Sequence, residues 1–330
     1  MIFGSSTVKV QCQLCPKMCV IGPGQSGDCR VRINIDGTLR TVVYGYPCSM
    51  HIDPIEKKPL FHFLPGSRIL SLATVGCNLH CRNCQNWEIS QANPEESEAV
   101  HCEPEMVVEL AERYNCPSVA YTYTDPVVFY EYTYDTAVLA GDRGIKSVLV
   151  TAGYINKEPW RRLLGKVDAA NIDLKGMTDD FYRRICAGTV GPVQEALIEA
   201  ASSGIVLEVT NLIIPTLNDR PEDISRLCRW VRANLGPEVP LHFSGFFPRY
   251  KMRHLPATSA ETLEKARRIA ISEGLWYVYI GNVTSRTGQN TYCPGCGRLL
   301  VERSGYTVLQ NRISQGRCRD CGRRIYGVWG

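Results

Sequence analysis

Three cysteines with the spacing C-x3-C-x2-C are the residues of this 330-residue chain best suited to chemistry. Cys77, Cys81 and Cys84 follow the apolar stretch 68–75 and Gly76, so they are predicted to lie on a tight loop at the end of a strand. Three thiolates can hold three irons of a cubane cluster, which leaves the fourth iron open to a small molecule. The alternatives are three buried thiols without a cofactor, or part of a zinc site.

The central part of the chain, 68–285, alternates apolar strands with amphipathic helices. The predicted strands are 69–75, 118–122, 146–151, 168–173, 205–211, 240–244 and 276–280. The predicted helices include Pro104–Tyr114, Arg220–Leu235 and Ser259–Glu273, where apolar residues recur at helical spacing. Repeated βα units with right-handed crossovers form a parallel sheet that curls. The sequence therefore predicts an α/β fold, a partial (β/α)6–7 barrel of the TIM type, with its chemistry at the carboxyl ends of the strands.

Polar side chains follow several of these strands. Asp125 stands before a turn proline and could accept hydrogen bonds from an ammonium group, or belong to an Asp-Pro turn that starts the next helix. Asp173 and Lys175 point the same way from one strand end, so they either pair with each other or meet a zwitterionic ligand. His242 lies in an apolar strand, where a histidine is usually a satisfied core residue.

Residues 1–50 form a small cysteine-rich module. A hairpin with an Asp-Gly turn is predicted over 31–40. A region this short cannot bury much core, so a bound metal is the physical expectation. Four thiolates suit zinc and an iron–sulfur cluster equally by residue type, with zinc as the first expectation. The candidate ligands have the spacing C-x2-C-x3-C-x9-C and are Cys12, Cys15, Cys19 and Cys29.

Two further segments flank the central part. Residues 51–67 are rich in proline and charge, which predicts a solvated linker. Residues 286–330 carry two C-x2-C pairs about twenty residues apart, which is typical of a zinc ribbon. Its candidate ligands are Cys293, Cys296, Cys318 and Cys321. Arginines in this region raise nucleic-acid or protein binding as an alternative, but a structural role is the expectation.

Composition excludes several classes of protein. Hydrophobic residues make up 44% and charged residues 21% of the chain, and a net charge of +4 is too small to favour nucleic acid or membrane surfaces. No apolar run reaches the roughly 18 residues of a transmembrane helix, and the start of the sequence lacks a signal-peptide pattern. The sixteen cysteines cluster in metal-binding spacings, which predicts a reducing, cytoplasmic location rather than disulfides.

The loop from Cys77 to Cys84 resembles the signature of radical S-adenosylmethionine (SAM) enzymes. The resemblance implies a [4Fe–4S] cluster on Cys77, Cys81 and Cys84, with SAM chelating the open iron. It implies reductive cleavage of SAM to a 5′-deoxyadenosyl radical, and hence an electron donor such as flavodoxin or ferredoxin. In these enzymes the residue before the last cysteine is usually aromatic. Here it is Asn83, so the adenine contact is expected partly from elsewhere, with Trp87 as a candidate.

The same resemblance implies which residues contact SAM. The segment from Thr122 to Pro126 looks like a variant of the Gly-Gly-Glu-Pro segment that meets the SAM amine, and the segment from Thr151 to Tyr154 resembles the Thr-Asn-Gly-Tyr segment of activating enzymes. The cofactor-binding residues implied are Cys77, Cys81, Cys84, Tyr123, Asp125, Thr151, Asp173, Lys175 and His242.

Over nearly its full length the sequence resembles the radical SAM component of the AmmeMemoRadiSam system, which is similar to pyruvate formate-lyase activating enzymes. The segments that carry this resemblance are 12–16, 53–60, 76–87, 173–175, 242–243, 250–252 and the closing ribbon. Memo-family and Ammecr-family partners are implied. We predict an activating-enzyme-like oxidoreductase that abstracts hydrogen from an unidentified substrate. One alternative is an enzyme that installs a glycyl radical on a partner, and another is a zinc-ribbon nucleic-acid- or protein-binding protein with an inactive barrel.

Overall fold

The computed structural model describes residues 8–283, 285 and 287–330. Its strands are β1 (Val10–Gln11), β2 (Val20–Ile21), β3 (Arg32–Ile35), β4 (Thr38–Thr41), β5 (Ser49–Pro54), β6 (Arg68–Ala73), β7 (Ser118–Tyr121), β8 (Lys146–Thr151), β9 (Ala169–Asp173), β10 (Val206–Ile213), β11 (Leu241–Gly245), β12 (Val278–Gly281), β13 (Thr291–Tyr292), β14 (Leu299–Ser304), β15 (Thr307–Asn311), β16 (Ile313–Ser314) and β17 (Arg317–Cys318). Its helices are α1 (Trp87–Ser90), α2 (Pro104–Arg113), α3 (Tyr130–Asp142), α4 (Lys157–Leu164), α5 (Asp179–Phe181), α6 (Gly191–Ser202), α7 (Pro221–Leu235) and α8 (Ala260–Ser272).

An eight-stranded sheet forms the centre of the molecule, with the strands from β5 to β12 side by side in chain order. The ladders from β6 to β12 are parallel, and β5 runs antiparallel to β6 at the edge. Helices connect each parallel strand to the next, so the carboxyl ends of all seven meet at one side of the sheet. Among the described residues β12 forms no ladder with β5, and the predicted partial barrel is confirmed.

The strands and helices predicted from hydrophobic periodicity are confirmed, with bounds that differ by a residue or two. The strands are apolar and almost wholly buried because helices and the flanking modules cover the sheet. Helices α2, α7 and α8 lie where they were predicted. None of the helices among the described residues has the length and apolar character needed to cross a membrane.

The segment 51–67 differs from the prediction of a solvated linker. Its first part belongs to the edge strand β5, and a short 3-10 helix, Ile55–Lys57, follows. Lys58 is buried because its ammonium group pairs with the Asp53 carboxylate at 2.7 Å, and the apolar residues that follow pack inside the barrel. Its prolines and charges suggest exposure, whereas mutual pairing of the charges permits burial.

The N-terminal module, residues 8–48, packs against the main core. Its hairpin β3–β4 turns at Asp36 and Gly37, which both have positive φ, as an Asp-Gly hairpin turn requires. Strands β1 and β2 pair antiparallel. Val31 and Val43 lie in the same apolar core as the barrel strands. The apolar core of the N-terminal module is therefore part of the same core as that of the barrel.

The C-terminal ribbon, residues 287–330, packs against the barrel through a second apolar cluster. Strands β13, β14 and β15 form one antiparallel sheet, and β16 pairs with β17. Tyr277 and Tyr279 from the barrel side meet Leu300 and Val301 from the ribbon. Arg303 of β14 is fully buried, and its guanidinium donates to the Phe61 carbonyl at 2.7 Å. The ribbon is thus anchored on the buried segment that follows β5.

Candidate active site

The cluster loop, residues 77–84, lies at the carboxyl end of β6 and is held by a π-helical turn, Tyr182–Cys186. The backbone N–H of His80 donates to the Cys186 carbonyl at 2.9 Å, and that of Arg82 donates to the Ile185 carbonyl at 2.8 Å. Gly76 has a φ of 92°, which lets the chain turn sharply from the strand into the loop. These hydrogen bonds and the turn at Gly76 together define the conformation of the loop.

Each of the three thiols of the cluster loop has a hydrogen-bond partner. The Leu79 N–H donates to the Cys77 sulfur at 3.4 Å, and the Ser90 hydroxyl lies 3.3 Å from the Cys84 sulfur. A hydrogen bond from Cys186 lowers the pKa of Cys81, whereas burial raises the pKa of Cys77 and Cys84. Donors of this kind stabilise thiolates, the form that binds metal.

Asp125 and Thr151 lie together at the carboxyl ends of β7 and β8. The Thr151 hydroxyl donates to one Asp125 oxygen at 2.9 Å, and the Ala152 N–H donates to the other at 2.9 Å. Burial raises the pKa of Asp125 even though these donors oppose the shift. The carboxylate fixes the turn after β8, and each of its oxygens already accepts a hydrogen bond from the chain.

Tyr123 joins the active-site edge to the buried segment after β5. Its hydroxyl donates to Asp53, and the Lys58 ammonium lies 4.1 Å from its ring centroid. Its carbonyl accepts a hydrogen bond from the Asn86 amide at 2.7 Å. Tyr123 has a φ of 63°, a conformation that costs free energy for a residue with a side chain and persists only where surrounding contacts hold it.

Asp173 and Lys175 form an ion pair at the carboxyl end of β9, with 2.6 Å between the carboxylate oxygen and the ammonium nitrogen. Burial alone would lower the pKa of Lys175, but the charges of Asp173 and of the nearby thiols outweigh it and raise that pKa. Both side chains are partly exposed and line a small pocket. The other residues that line this pocket are Asn83, Phe181, Cys186, Leu212 and Ile214. The two charges thus face a space beside the cluster loop.

His242 is buried inside the barrel and does not lie with these residues at the carboxyl ends of the strands. It is the second residue of β11, and its ring lies 2.6 Å from the Glu208 carboxylate. The rings of Phe61 and Tyr279 pack against it. The predicted contact of His242 with SAM therefore involves a side chain that is already hydrogen-bonded inside the barrel.

The loop after β11 covers the cluster loop from the other side. The Lys251 N–H donates to the Arg82 carbonyl at 3.1 Å, and the Arg249 guanidinium donates to the Gln85 carbonyl at 3.2 Å. The Trp87 ring stacks on Tyr250, with 5.1 Å between centroids and 9° between planes. One face of Trp87, the candidate adenine contact, is therefore occupied by Tyr250.

Sequence reasoning missed two groups at this site. Cys186 carries no signal in the sequence, because it is far along the chain from the cysteine motif and no spacing rule links them. Asp53 and Lys58 belong to a proline-flanked charged run that suggests exposure. Charged residues between apolar ones in that run were the available signal, since the apolar residues require burial.

The two other cysteine sets also converge. The four C-terminal thiols form a group whose sulfur atoms all lie within 4.8 Å of one another, so these residues could hold a metal ion. The four N-terminal thiols, Cys12, Cys15, Cys19 and Cys29, line a common pocket that borders the cluster loop at Asn78.

Comparisons with known proteins agree with this site. The model of the radical SAM superfamily matches residues 71–231. Uncharacterized protein MJ0808 of Methanocaldococcus jannaschii is 51% identical over 319 residues, which cover 96% of this chain and 95% of that protein. The pyruvate formate-lyase-activating enzyme of Clostridium pasteurianum is 23% identical over 208 residues, which cover 58% of this chain and 86% of that enzyme.

Solved structures share the fold. A radical SAM methyltransferase from Sphaerobacter thermophilus matches with a TM-score of 0.52 and 17% identity, over 72% of this chain and 71% of that one. SuiB of Streptococcus suis matches with a TM-score of 0.51 and 12% identity, over 69% of this chain and 52% of that one. The chain described here matches the radical SAM family model and carries a three-cysteine loop at the end of a parallel strand. It therefore belongs to the radical SAM superfamily and is related to the activating enzymes.

Proposed function

We propose that this protein cleaves SAM reductively and uses the resulting 5′-deoxyadenosyl radical to abstract hydrogen from a substrate. The observation that carries the proposal is the arrangement at the cluster loop. Three thiols, each with a hydrogen-bond partner, lie beside a pocket that presents the Asp173–Lys175 pair. These residues lie at the carboxyl ends of parallel strands, where barrel enzymes hold their substrates.

The residues present fit the cofactors that the family implies. Cys77, Cys81 and Cys84 supply three thiolates, one fewer than a fully protein-ligated cubane needs. The neighbouring carboxylate and ammonium complement the amino and carboxylate groups of SAM. A cluster held by these thiolates would supply the single electron that reductive cleavage of SAM requires.

Other residues of the chain hold the site in shape and exclude water from it. Asp125 positions the turn after β8 through its bonds to Thr151 and Ala152. Leu212 and Ile214 make one wall of the pocket apolar, which protects a reactive radical from solvent. The loop after β11 is fixed to the cluster-loop region by one backbone hydrogen bond and one from the Arg249 guanidinium, so its side chains are placed to contact a substrate.

The test is anaerobic reconstitution of the full chain with iron and sulfide, followed by reduction in the presence of SAM. We expect 5′-deoxyadenosine to accumulate in the wild-type protein. The variants Cys77→Ala, Cys81→Ala and Cys84→Ala should each lose this product by about 100-fold or more, because removing one thiolate leaves an incomplete set of cluster ligands.

The matched control is Cys116→Ala, which removes a buried thiol just before β7 and should keep the activity. Product formation by any of the three cluster-loop variants at the wild-type rate would contradict the proposal. Salt-dependent nucleic-acid binding without SAM cleavage would favour the binding-protein alternative instead.

A narrower proposal is that the hydrogen comes from a glycine of a partner enzyme. The relationship to the Clostridium pasteurianum activating enzyme supports it. Incubation with a candidate partner should then give a glycyl-radical signal in electron paramagnetic resonance (EPR) spectra. A modified small molecule without a protein radical would argue against it.

We also propose zinc as the metal of the ribbon, since four thiolates and closely spaced sulfurs suit that ion. A flavodoxin or ferredoxin is proposed as electron donor, and Memo-family and Ammecr-family proteins as partners, on the resemblance of the sequence. Co-purification from the source cell would test the partners.

The compartment proposed is the cytoplasm, since sixteen cysteines without disulfides suit a reducing environment.

A further inference from the structure

A second set of four thiols converges beside the cluster loop. They are Cys12, Cys15, Cys19 and Cys29, and all four line one pocket. Short pairings of the backbone bring them together. The Cys12 N–H donates to the Cys19 carbonyl at 2.9 Å, and the Met18 N–H donates to the Cys15 carbonyl at 3.1 Å. Four thiols around one space are a ligand set for a metal centre.

Hydrogen bonds to the thiols of this pocket oppose the effect of burial. The Asp28 N–H donates to the Cys19 sulfur at 3.5 Å. Burial raises the pKa of Cys15 and Cys29, and hydrogen bonds from the backbone at Lys17 and Val31 oppose that rise. Such donors stabilise thiolates, and hydrogen bonds to sulfur raise the reduction potential of iron–sulfur clusters within a given type.

The spacing of the sulfurs distinguishes this pocket from the ribbon. Zn–S bonds of about 2.3 Å place tetrahedral thiolates about 3.8 Å apart. The ribbon sulfurs lie within 4.8 Å of one another, which suits a single ion. Among the described residues, the thiols of the N-terminal pocket and those of the cluster loop do not form such a compact group. The reason to expect iron and sulfide rather than zinc in the N-terminal pocket is its contact with the cluster loop.

The N-terminal pocket is in direct contact with the cluster loop. Asn78 lines this pocket together with the four thiols, and it directly follows Cys77 in the chain. A methyl group added at Gly76 would lie 2.7 Å from the Cys29 carbonyl, so the two backbones touch there. His80 also reaches across, with its ring 2.9 Å from the Asp28 carboxylate. One residue therefore separates the two sets of thiols.

We propose that Cys12, Cys15, Cys19 and Cys29 hold a second iron–sulfur cluster, which passes single electrons to the cluster on Cys77, Cys81 and Cys84. The acceptor in this step rests on the proposed function. An external one-electron reductant of the ferredoxin or flavodoxin type reduces the second cluster, which is reoxidised as the acceptor is reduced. No atom moves and no bond forms or breaks in the transfer itself. Lys17 and Asp28 at the pocket are partly exposed, so a donor protein can approach this side.

The first experiment uses the full-length triple variant Cys77→Ala, Cys81→Ala and Cys84→Ala, which removes the cluster-loop ligands and leaves the N-terminal pocket intact. After anaerobic reconstitution we expect about two to four irons, with matching sulfide, to remain per chain. Dithionite should reduce this iron and give an EPR signal. Zinc at two equivalents per chain without iron or sulfide would overturn the proposal.

The second experiment uses the wild-type protein and does not depend on the folding of a variant. With both clusters reduced, their short separation should broaden or split the EPR signals relative to the triple variant, because the two spins interact. Signals that simply add, or a wild-type protein with no more than about four irons per chain, would overturn the electron transfer.

Neither readout needs SAM or a substrate. A protein that keeps the second cluster but never cleaves SAM would fail the proposed function and not the metal assignment. A protein that cleaves SAM with zinc in the N-terminal pocket would do the reverse. The two proposals can therefore fail independently.

Discussion

Gly76 is the residue on which the contact between the N-terminal module and the cluster loop depends. Its φ of 92° is unfavourable for any residue with a side chain, and an added Cβ would lie 2.7 Å from both the Cys29 carbonyl oxygen and a Val31 methyl. We expect Gly76→Ala to reduce the free energy of unfolding by about 2 kcal/mol or more. Urea unfolding with limited proteolysis of the N-terminal module would measure this.

Gly24→Ala is the matched control in the same module. Gly24 has a φ of 69°, but no atom lies within 4 Å of its added Cβ. The Gly24→Ala substitution should therefore reduce the free energy of unfolding only through the unfavourable backbone conformation, by about 1 kcal/mol. If both variants lost the same free energy of unfolding, the close contact between Gly76 and the N-terminal module would not contribute to stability.

His62 is a buried base whose ionisation opposes folding. Its Nδ1–H donates to the Tyr326 carbonyl at 2.6 Å, and the Tyr279 hydroxyl lies 2.6 Å from Nε2. Burial lowers the pKa of His62 to about 4, although Glu208 opposes the shift. The unfolded chain thus binds more protons between that value and about 6.5, so stability is complete above pH 6.5 and falls as the pH drops.

The expected loss for His62 is about 3 kcal/mol between pH 6.5 and 4. Urea unfolding at several pH values, for the wild type and for His62→Gln, would isolate it, because glutamine does not titrate. Acid also protonates thiolates and carboxylates elsewhere in both proteins. The contribution of His62 is therefore the difference between wild type and variant in how steeply the free energy of unfolding falls with pH. Parallel slopes would contradict a buried neutral His62.

Individual residues of the site could be predicted only in part. The ion pair of Asp173 and Lys175 was one of two alternatives, since strand alternation places them on one face but does not say what they meet. Cys186 could not be predicted, because its proximity to Cys81 depends on the packing of the π-helical turn against the cluster loop. The depth of His242 depends on the register of β10 and β11, which the sequence leaves open.

At the scale of elements, hydrophobic periodicity sufficed for the barrel and failed for the segment after β5. Each βα unit carries a local pattern, so strands such as β8 were predicted to the residue. The segment 55–63 has no such pattern, because its burial depends on partners elsewhere in the chain. Lys58 meets Asp53 and Tyr123, and Glu56 approaches Arg303 of β14.

Strand β14 contributes the main polar anchor between ribbon and barrel. The Arg303 guanidinium donates to the carbonyls of Phe61 and Gln289 and to the Thr291 hydroxyl, at 2.7, 3.1 and 2.9 Å. We expect Arg303→Met to lower stability by about 3 kcal/mol or more, since the partners are left buried and unpaired.

The control for this anchor is Arg312→Met, which changes an exposed arginine in the same ribbon and should alter stability by about 0.5 kcal/mol or less. Thermal unfolding of both variants, with the ribbon metal bound, would compare them. If Arg303→Met proved as mild as its control, the anchor would not be a significant source of stability.

At the scale of the whole molecule, three cysteine sets divide the chain, and the sequence located all three. It could not show that the N-terminal set lies against the cluster loop while the ribbon packs at the buried segment after β5. These arrangements depend on pairs far apart in the chain, such as Phe61 and Arg303, 242 residues apart. No local pattern encodes such pairs.

Removal of the ribbon metal should unfold the ribbon and leave the barrel folded. The ribbon strands are short, whereas thiolate sites of this kind contribute about 10–16 kcal/mol in apparent binding free energy. A strong chelator, or the variant Cys296→Ser, should release one metal equivalent and make residues 291–321 sensitive to protease. A ribbon that stays protease-resistant without metal would contradict this.

The closing residues of the ribbon also complete the barrel interior. The Val328 N–H donates to the His62 carbonyl at 2.8 Å, and Gly327 lies so close to that carbonyl that no larger residue fits. A ribosome makes these residues after all of the barrel strands, so this contact with His62 cannot form while the barrel is being translated. The contact is therefore late in the synthesis of a new chain.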